Sequence, residues 1–305
     1  MAQTRLTKFV KNSRLAVINQ VLSILTKFII RTVFVYTLGA EYLGVSGLFT
    51  NILSVLNLAE LGIGTTIVYS MYKPLAENDT VQIKKYFRAF RNIYAVIGGI
   101  ILFVGICLIP FLNVIIKDSP EVGNIKLIYL LYLLDSASSY FYAHCRSLIS
   151  ADQKGYIDSV NRIVFNIIQM LVQILILLLL KSFYLYLVIN ILLNWISGFN
   201  ISLKLKKVYP FLNEKTNEKL SGVQIRELIK NSAAMFSHKI GYTVLNSTDN
   251  VLISMFVGTV IVGYFSNYNM IISTLTGLMA LIVSAFQATV GNMCAVDNID
   301  KQHDI

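Results

Sequence analysis

The chain has 305 residues, of which 55% are hydrophobic and only 14% are charged, and its formal net charge is +10. This composition excludes an ordinary soluble domain, because soluble proteins carry about 25% charged residues. The three cysteines, Cys107, Cys145 and Cys294, are odd in number and scattered, so they indicate neither a disulfide framework nor a metal site.

Long apolar runs predict an all-α polytopic membrane protein. A helix needs about 20 mainly apolar residues to cross the hydrocarbon core of a bilayer. Eight runs approach or exceed this length, and in chain order they cover 15–38, 44–72, 92–116, 126–149, 160–180, 183–203, 232–257 and 261–290. The only long polar connection between these runs is about 204–230, between the sixth and the seventh.

The basic residues predict how the chain is oriented. Most of the 26 Lys and Arg residues lie in the N-terminal tail and in every second connection, whereas the alternate connections hold Lys117, Lys126 and Lys181. Such an excess of positive charge marks the cytoplasmic side. We therefore expect both termini in the cytoplasm. We also attribute the net charge to this topology and to attraction of anionic membrane lipids, not to nucleic acid.

The seventh and eighth runs repeat the pattern of the first two. The alignment places Gly39 on Gly258 and Gly44 on Gly263. These glycines mark the predicted outer turn of each copy, where the backbone needs conformational freedom. Six helices separate the copies, which predicts a parallel repeat of the kind found in transporters.

The repeat predicts the domain organisation. We expect a six-helix transmembrane lobe over 1–205, a cytoplasmic connection over 206–230 and the start of a second lobe over 231–305. The first copy then has six helices and the second has two. On this interpretation the chain is a truncated product, a split gene or a fragment that a second chain would complete.

Four segments together resemble the polysaccharide flippases of the O-antigen or Wzx type. They are YTLGAEYLGVSGLFTNILSVLNLAELGIG (36–64), YKPLAENDTVQIKKYFRAFRNIY (72–94), SLISADQKGYIDSVNRI (147–163) and NSTDNVLISMFVGTVIVGYFSNYNMI (246–271). This family belongs to the superfamily of MATE exporters and lipid flippases. The resemblance implies a MATE-like fold with a central cavity. It also implies transport of a polyprenyl-diphosphate-linked oligosaccharide across the bacterial cytoplasmic membrane for surface polysaccharide biosynthesis, without enzymatic activity.

Two cations inside the first predicted span are candidates for substrate binding. Lys27 and Arg31 are four residues apart and therefore share one helix face. A charge within the bilayer is costly and usually faces an interior or a water-filled cavity. Arg suits phosphate because its planar fork donates two parallel hydrogen bonds. The alternatives are an internal ion pair and a side chain that extends to the outer membrane surface.

Three carboxylates within other spans are candidates for coupling or gating. Glu60 precedes two glycines, and it suits a gate or an ion pair with the cations of the first span. Asp135 begins a run of small and aromatic residues, which favours either helix packing or a sugar-lining face. Asp249 lies in a polar patch, which suits a proton- or sodium-coupling carboxylate or a partner of the first-span cations across the cavity. The alternatives are a structural partner of Lys239 and a residue near the outer membrane surface.

Polar residues also form a stripe on the fifth span. Asn166, Gln169 and Gln173 follow helical spacing, so they lie on one face. Their amides could hydrogen-bond sugar hydroxyls in a cavity. The alternative is hydrogen bonding between helices.

The sequence contains no phosphate-binding glycine loop, zinc-ligand cluster or nucleophile triad. We therefore expect no cofactor and a proton or sodium gradient as the energy source. Two other functions are alternatives to a flippase. A MATE-type drug exporter would need an acidic cavity, and a glycosyltransferase would need a large outer loop with catalytic residues.

Overall fold

The computed structural model of the chain describes residues 2–57, 63–116, 122–214 and 220–296. These residues fold into helices, and no strand occurs among them. The α-helices are, in chain order, α1 (Ala2–Leu38), α2 (Ala40–Leu56), α3 (Ile63–Ala76), α4 (Thr80–Leu108), α5 (Leu112–Ile115), α6 (Ile125–Ala151), α7 (Tyr156–Leu180), α8 (Phe183–Val208), α9 (Gly222–Phe256) and α10 (Thr259–Val296). The all-α prediction is confirmed for this part of the chain.

Four described segments are long and apolar enough to cross a membrane, as expected for a multi-pass membrane protein. They are Arg14–Leu38, Thr80–Ile115, Tyr156–Leu180 and Phe183–Val208. The predicted runs at 126–149 and 261–290 fall within α6 and α10, and the run at 232–257 falls within α9 except for Val257, the residue after the helix. Their helical structure is confirmed, and their passage through the membrane stays a prediction.

The predicted second span, 44–72, differs from the structure. Two helices occupy this region, α2 and α3, and residues 58–62 between them lie outside the described residues. Helix α2 also begins four residues earlier than the predicted run. The sequence pattern could not reveal this division, because apolar residues continue through both helices.

Helices α4 and α9 begin well before the apolar runs that predicted them. The Asp79 carboxylate accepts hydrogen bonds from two backbone N–H groups in the first turn of α4, at 3.1 and 3.0 Å. Ser221 and Gln224 form a capping box at the start of α9, inside the predicted connection over 206–230. Hydropathy locates the apolar part of a helix, whereas the cap determines where the helix begins.

The turns at Gly39 and Gly258 confirm the expected backbone requirement. Their φ angles are +94° and +140°, which side chains with a Cβ rarely adopt. Just beyond these turns, the backbones of α2 and α10 touch. A Cβ on Gly44 would lie 1.9 Å from the Thr259 carbonyl oxygen, and a Cβ on Gly263 would lie 2.4 Å from the Ala40 carbonyl oxygen.

Helix α6 is packed against α2, α3, α4, α7 and α8. Its contact with α4 is close because Gly105 carries no side chain, and a Cβ there would lie 2.3 Å from Leu133 Cδ1. The Tyr129 hydroxyl donates a hydrogen bond to the Gly105 carbonyl oxygen at 3.1 Å. These contacts fix the rotation of α6 and therefore the direction of its polar face.

A polar cluster joins the α6–α7 turn to the end of α8. The Lys154 ammonium lies 2.7 Å from the Asp152 carboxylate and 4.6 Å from the centre of the Tyr209 ring. The Tyr209 hydroxyl donates a hydrogen bond to the same carboxylate. Burial, and then this bond and the neighbouring charge, raise the pKa of Tyr209 above its ordinary value.

The chain divides into two compact units, Met1–Gly263 and Tyr264–Ile305. The first unit contains α1 to α9 and the first residues of α10, and it holds the buried core and the cavity. The described part of the second unit is the remainder of α10.

Candidate functional site

The first unit contains an open cavity of about 1380 Å³. This volume exceeds the range of about 300–1000 Å³ that is typical of sites for drug-sized ligands. Six helices supply its walls: α3, α4, α6, α7, α8 and α9. The lining residues include hydroxyl, aromatic, amide and charged side chains, namely Thr66, Tyr69, Tyr72, Tyr94, Ser138, Ser139, Tyr142, Arg146, Ser147, Ser150, Asp158, Arg162, Asn194, Glu227 and Asn231.

One face of α6 provides the longest stretch of this wall. Ser139, Tyr142, Arg146 and Ser150 recur at intervals of three or four residues, which places them on one side of the helix. From Ser139 to Ser150 this face extends about 16 Å, at about 1.5 Å per residue. The wall therefore offers hydroxyl groups and an aromatic ring along one line, with an arginine near one end.

The position of Tyr142 depends on a glycine in the neighbouring helix. A Cβ on Gly198 of α8 would lie 2.1 Å from Tyr142 Cδ2. The absence of a side chain at Gly198 lets the tyrosine ring lie against α8. Trp195 contacts the same ring edge to face, with 6.1 Å between ring centroids.

Two arginines share one carboxylate in the cavity wall. Asp158 lies in the first turn of α7, where the helix dipole favours a negative charge. Arg162, one turn later, contacts the Asp158 carboxylate at 2.7 Å through Nε. Arg146 of α6 approaches the other carboxylate oxygen at 3.7 Å, which is too long for a hydrogen bond. We call these three residues the arginine cluster, and its formal charge is positive.

A second polar group links three helices next to the cavity. Asn190 and Asn194 of α8 donate hydrogen bonds to the two carboxylate oxygens of Asp135, at 2.7 and 2.8 Å. Gln169 of α7 donates to the Asn190 side-chain oxygen and, at 3.5 Å, to the Gln173 side-chain oxygen. We call these five residues the amide network. Asn194 also lines the cavity, so the network reaches its wall.

The predicted stripe on the fifth span is partly explained by this network. Gln169 and Gln173 belong to it, and Gln173 is only 1% exposed. Asn166 is half-buried. Hydrogen bonding between helices, one of the two interpretations of the stripe, is therefore observed for Gln169. Sugar binding by the three residues stays a prediction.

The two cations of α1 have different surroundings. Lys27 is exposed, whereas Arg31 is half-buried. The phenol groups of Tyr132 and Tyr186 lie near the Arg31 guanidinium.

Of the other two predicted carboxylates, Asp249 lies among the described residues. Asp249 is exposed on α9. Glu60 lies outside the described residues. The coupling or gating roles assigned to Glu60, Asp135 and Asp249 stay predictions.

Sequence reasoning missed four cavity-lining residues of the arginine cluster and the amide network. Arg146 and Arg162 were counted only as positive charges that set the topology. Asp158 and Asn194 were not singled out. A signal was present for three of them: Asp158 and Arg162 are four residues apart, as are Asn194 and Asn190. Arg146 has no such local signal.

The arrangement suits reversible binding of a large polar ligand. Hydroxyl and amide groups can exchange hydrogen bonds with sugar hydroxyls, tyrosine rings can lie against sugar faces, and guanidinium groups can bind anions. No group of His, Cys, Asp and Glu side chains that could hold a metal ion occurs among the described residues.

Comparisons with known proteins agree with this picture. The sequence model of the family described as polysaccharide biosynthesis protein matches residues 9–286. A solved structure named protein A has a TM-score of 0.74 at 16% sequence identity, and the match covers 94% of this chain and 65% of that one. This likeness shows the fold alone, and the chain spans about two thirds of the length of that protein. No curated protein matches the chain significantly.

Proposed function

The chain belongs to the polysaccharide biosynthesis protein family, the family of O-antigen or Wzx-type flippases, and from this premise we propose that it is a flippase for a lipid-linked oligosaccharide. The ligand is a polyprenyl-diphosphate-linked oligosaccharide. It moves from the cytoplasmic to the outer leaflet of the bacterial cytoplasmic membrane for assembly of a surface polysaccharide. No covalent bond changes, so the protein is a transporter and not an enzyme.

The cavity is the observation that supports this proposal most strongly. It is large, it is lined by groups that suit sugars and anions, and it lies within a helical membrane protein. A purely apolar pocket would suit a lipid tail instead. A flippase needs the polar arrangement, because only the head group must leave water while the polyprenyl tail remains in the bilayer.

The predicted orientation gives the cavity a direction. The Lys and Arg pattern assigns the end of α6 that carries Arg146 to the cytoplasm. The cavity then opens its basic end toward the leaflet in which the substrate is made. Transport would follow by alternating access of the two lobes, with a proton or sodium gradient as the energy source.

The binding of the substrate anion by Lys27 and Arg31 is a separate prediction. Replacing both residues with glutamine would remove two positive charges from α1. If they hold the diphosphate, export should fall strongly in the double variant. Export that remains intact while the protein inserts normally would show that these residues are not the anchor.

Complementation tests the proposed function. The chain is expressed in a bacterial strain that lacks its flippase, and surface polysaccharide is measured together with the lipid-linked precursor. Restored polysaccharide, with no accumulation of precursor on the cytoplasmic side, is the expected result. A complete flippase of the same strain serves as the positive control. A stably inserted chain that restores no export, alone or in company with the remaining helices of a flippase, would contradict the proposal.

A further inference from the structure

From the arginine cluster we propose that Arg146 and Arg162 form a diphosphate-binding site that Asp158 occupies while no substrate is bound. This inference rests on the proposed function and adds the residues that receive the anionic part of the substrate. It differs from the assignment of the anion to Lys27 and Arg31 of α1.

The positions of the two guanidinium groups favour an anion-binding site. Arg146 and Arg162 come from different helices, both line the cavity, and both approach the carboxylate of Asp158. They therefore converge on one point in the wall. An anion that displaced this carboxylate would meet both guanidinium groups at once.

The incomplete pairing of Arg146 with Asp158 also favours an anion-binding site. Arg146 is 3.7 Å from Asp158, and the nearer carboxylate oxygen, Oδ1, is buried without a hydrogen-bond partner. The donor fork of Arg146 is consequently not committed to Asp158. Arginine can present two parallel N–H groups to a phosphate, which gives shorter and stronger hydrogen bonds than this distant pair.

The net charge of the arginine cluster also suits a diphosphate. Two guanidinium groups and one carboxylate leave the cluster with a positive formal charge. When Asp158 turns aside, the two positive charges match a doubly charged diphosphate diester. Glu227 is the other acidic residue in the described lining, and it comes from α9 on a different wall. It would repel an anion that moved away from the cluster toward α9.

The location of the arginine cluster along α6 suits a lipid-linked ligand. Arg146 lies about 16 Å from Asp135 along the helix axis, at about 1.5 Å per residue. The arginine cluster is therefore at one end of the polar wall and the amide network is at the other. A diphosphate bound to the arginines would lie near the predicted cytoplasmic membrane surface, where the polyprenyl tail can stay among the lipids. The sugar residues would extend along Tyr142 and Ser139 toward Asn194.

Binding measurements on the full chain in phosphatidylcholine nanodiscs test this site. The probe is geranylgeranyl diphosphate, with geranylgeraniol as the probe that lacks the anion. Arg146→Gln and Arg162→Gln should each weaken diphosphate binding by about 10- to 100-fold, the range expected for loss of a hydrogen bond to a charged group. Arg14→Gln is the matched control, because Arg14 is exposed on α1 and does not line the cavity; its affinity should equal that of the wild type.

Two further variants keep the test independent of folding. Arg146→Lys with Arg162→Lys retains the charges but loses the planar forks, so its affinity should lie between those of the wild type and the double glutamine variant. Asp158→Asn removes the competing carboxylate and should tighten binding by about 2- to 5-fold. Loss of a merely structural ion pair would not tighten binding. Thermal unfolding of each variant identifies those that are misfolded.

Several results would overturn the assignment. One is a folded Arg146→Gln, Arg162→Gln double variant that binds the diphosphate as tightly as the wild type does. Another is a wild type that does not bind the diphosphate. Loss of binding in Lys27→Gln, Arg31→Gln with retention in the cluster variants would move the site to α1. Phosphatidylglycerol vesicles that compete as well as the diphosphate, phosphate for phosphate, would identify a phospholipid head-group site instead.

The same variants in the complementation strain separate this inference from the proposed function. A wild-type chain that binds diphosphate through the arginines but restores no export, alone or together with the remaining helices of a flippase, leaves the site intact and contradicts the flippase assignment. A wild-type chain that restores export, together with a double variant that binds and exports normally, contradicts the site and supports the function.

Discussion

The contact between α2 and α10 leads to a quantitative prediction for Gly44→Ala. The added Cβ would lie 1.9 Å from the Thr259 carbonyl oxygen, whereas ordinary contact begins at 3.4 Å. One helix must therefore move by about 1.5 Å. The obstacle is backbone and cannot rotate away, so we expect a cost of about 1–3 kcal/mol for overpacking.

Gly99→Ala is the matched control for this substitution. Both glycines are within helices, so each gains about 1 kcal/mol of helix propensity from alanine. Gly99 has no atom within 4 Å of an added Cβ, and its variant should be slightly more stable than the wild type. The propensity gain is common to both variants, so we expect them to differ by the overpacking cost alone, about 1–3 kcal/mol, which corresponds to about 2–12 °C in melting temperature.

The assay is thermal unfolding of the detergent-purified protein, followed by the fluorescence of the single tryptophan, Trp195. Gly263→Ala should repeat the effect of Gly44→Ala, because its added Cβ would lie 2.4 Å from the Ala40 carbonyl oxygen. If Gly44→Ala melted together with Gly99→Ala, the close approach of α2 and α10 would be refuted.

Three further outcomes follow from the structure. Asp135→Ala should lower the melting temperature and destabilise the fold by about 2 kcal/mol or more, because two asparagine amides lose their acceptor. A melting temperature equal to or above that of the wild type would mean that burial of the carboxylate destabilises the fold by at least as much as its two hydrogen bonds stabilise it. Gly198→Ala should reduce export while folding is retained, because its Cβ forces the Tyr142 ring into the cavity; normal export would contradict this. Tyr209→Phe should be less stable than the wild type at neutral pH, because it loses the hydrogen bond to Asp152. Because the pKa of Tyr209 is raised in the folded protein, the stability that its neutral phenol contributes is complete below pH 10.0 and falls as the pH rises above that value. The stability difference between wild type and Tyr209→Phe should therefore shrink above pH 10.0. A difference that stayed constant with pH would exclude this linkage.

The sequence predicted the parts of the fold that depend on local signals. Gly39 and Gly258 were identified because positive φ angles favour glycine, and the helices around them are present. The spans within α7 and α8 were recognised from apolar length. The extent of α4 and α9 and the separation of α2 from α3 were missed, because hydropathy carries little information about where a helix begins or ends.

The candidate site was predicted only in part, for a different reason. Helical spacing shows that Gln169 and Gln173 share a face, but it does not show which helix that face meets. The partner, Asn190, is about one helix away in sequence and became apparent only from the packing of α7 on α8. Arg146 looked like an ordinary charge at a membrane surface, since its approach to Asp158 depends on the packing of α6 against α7.

The glycine contact between α2 and α10 has a geometry that is usually found between subunits. Gly44 and Gly263 occupy equivalent positions in the predicted repeat, and so do Ala40 and Thr259, so the same patch lies on both sides of the contact. In a symmetric dimer such an interface is called isologous, and a single substitution alters it twice. If the repeat arose by duplication of a half-sized ancestor, that ancestor already carried the surface through which two copies could associate. Fusion of the copies then released each side to change independently, so that one helix could keep its glycine while the other acquired a new role.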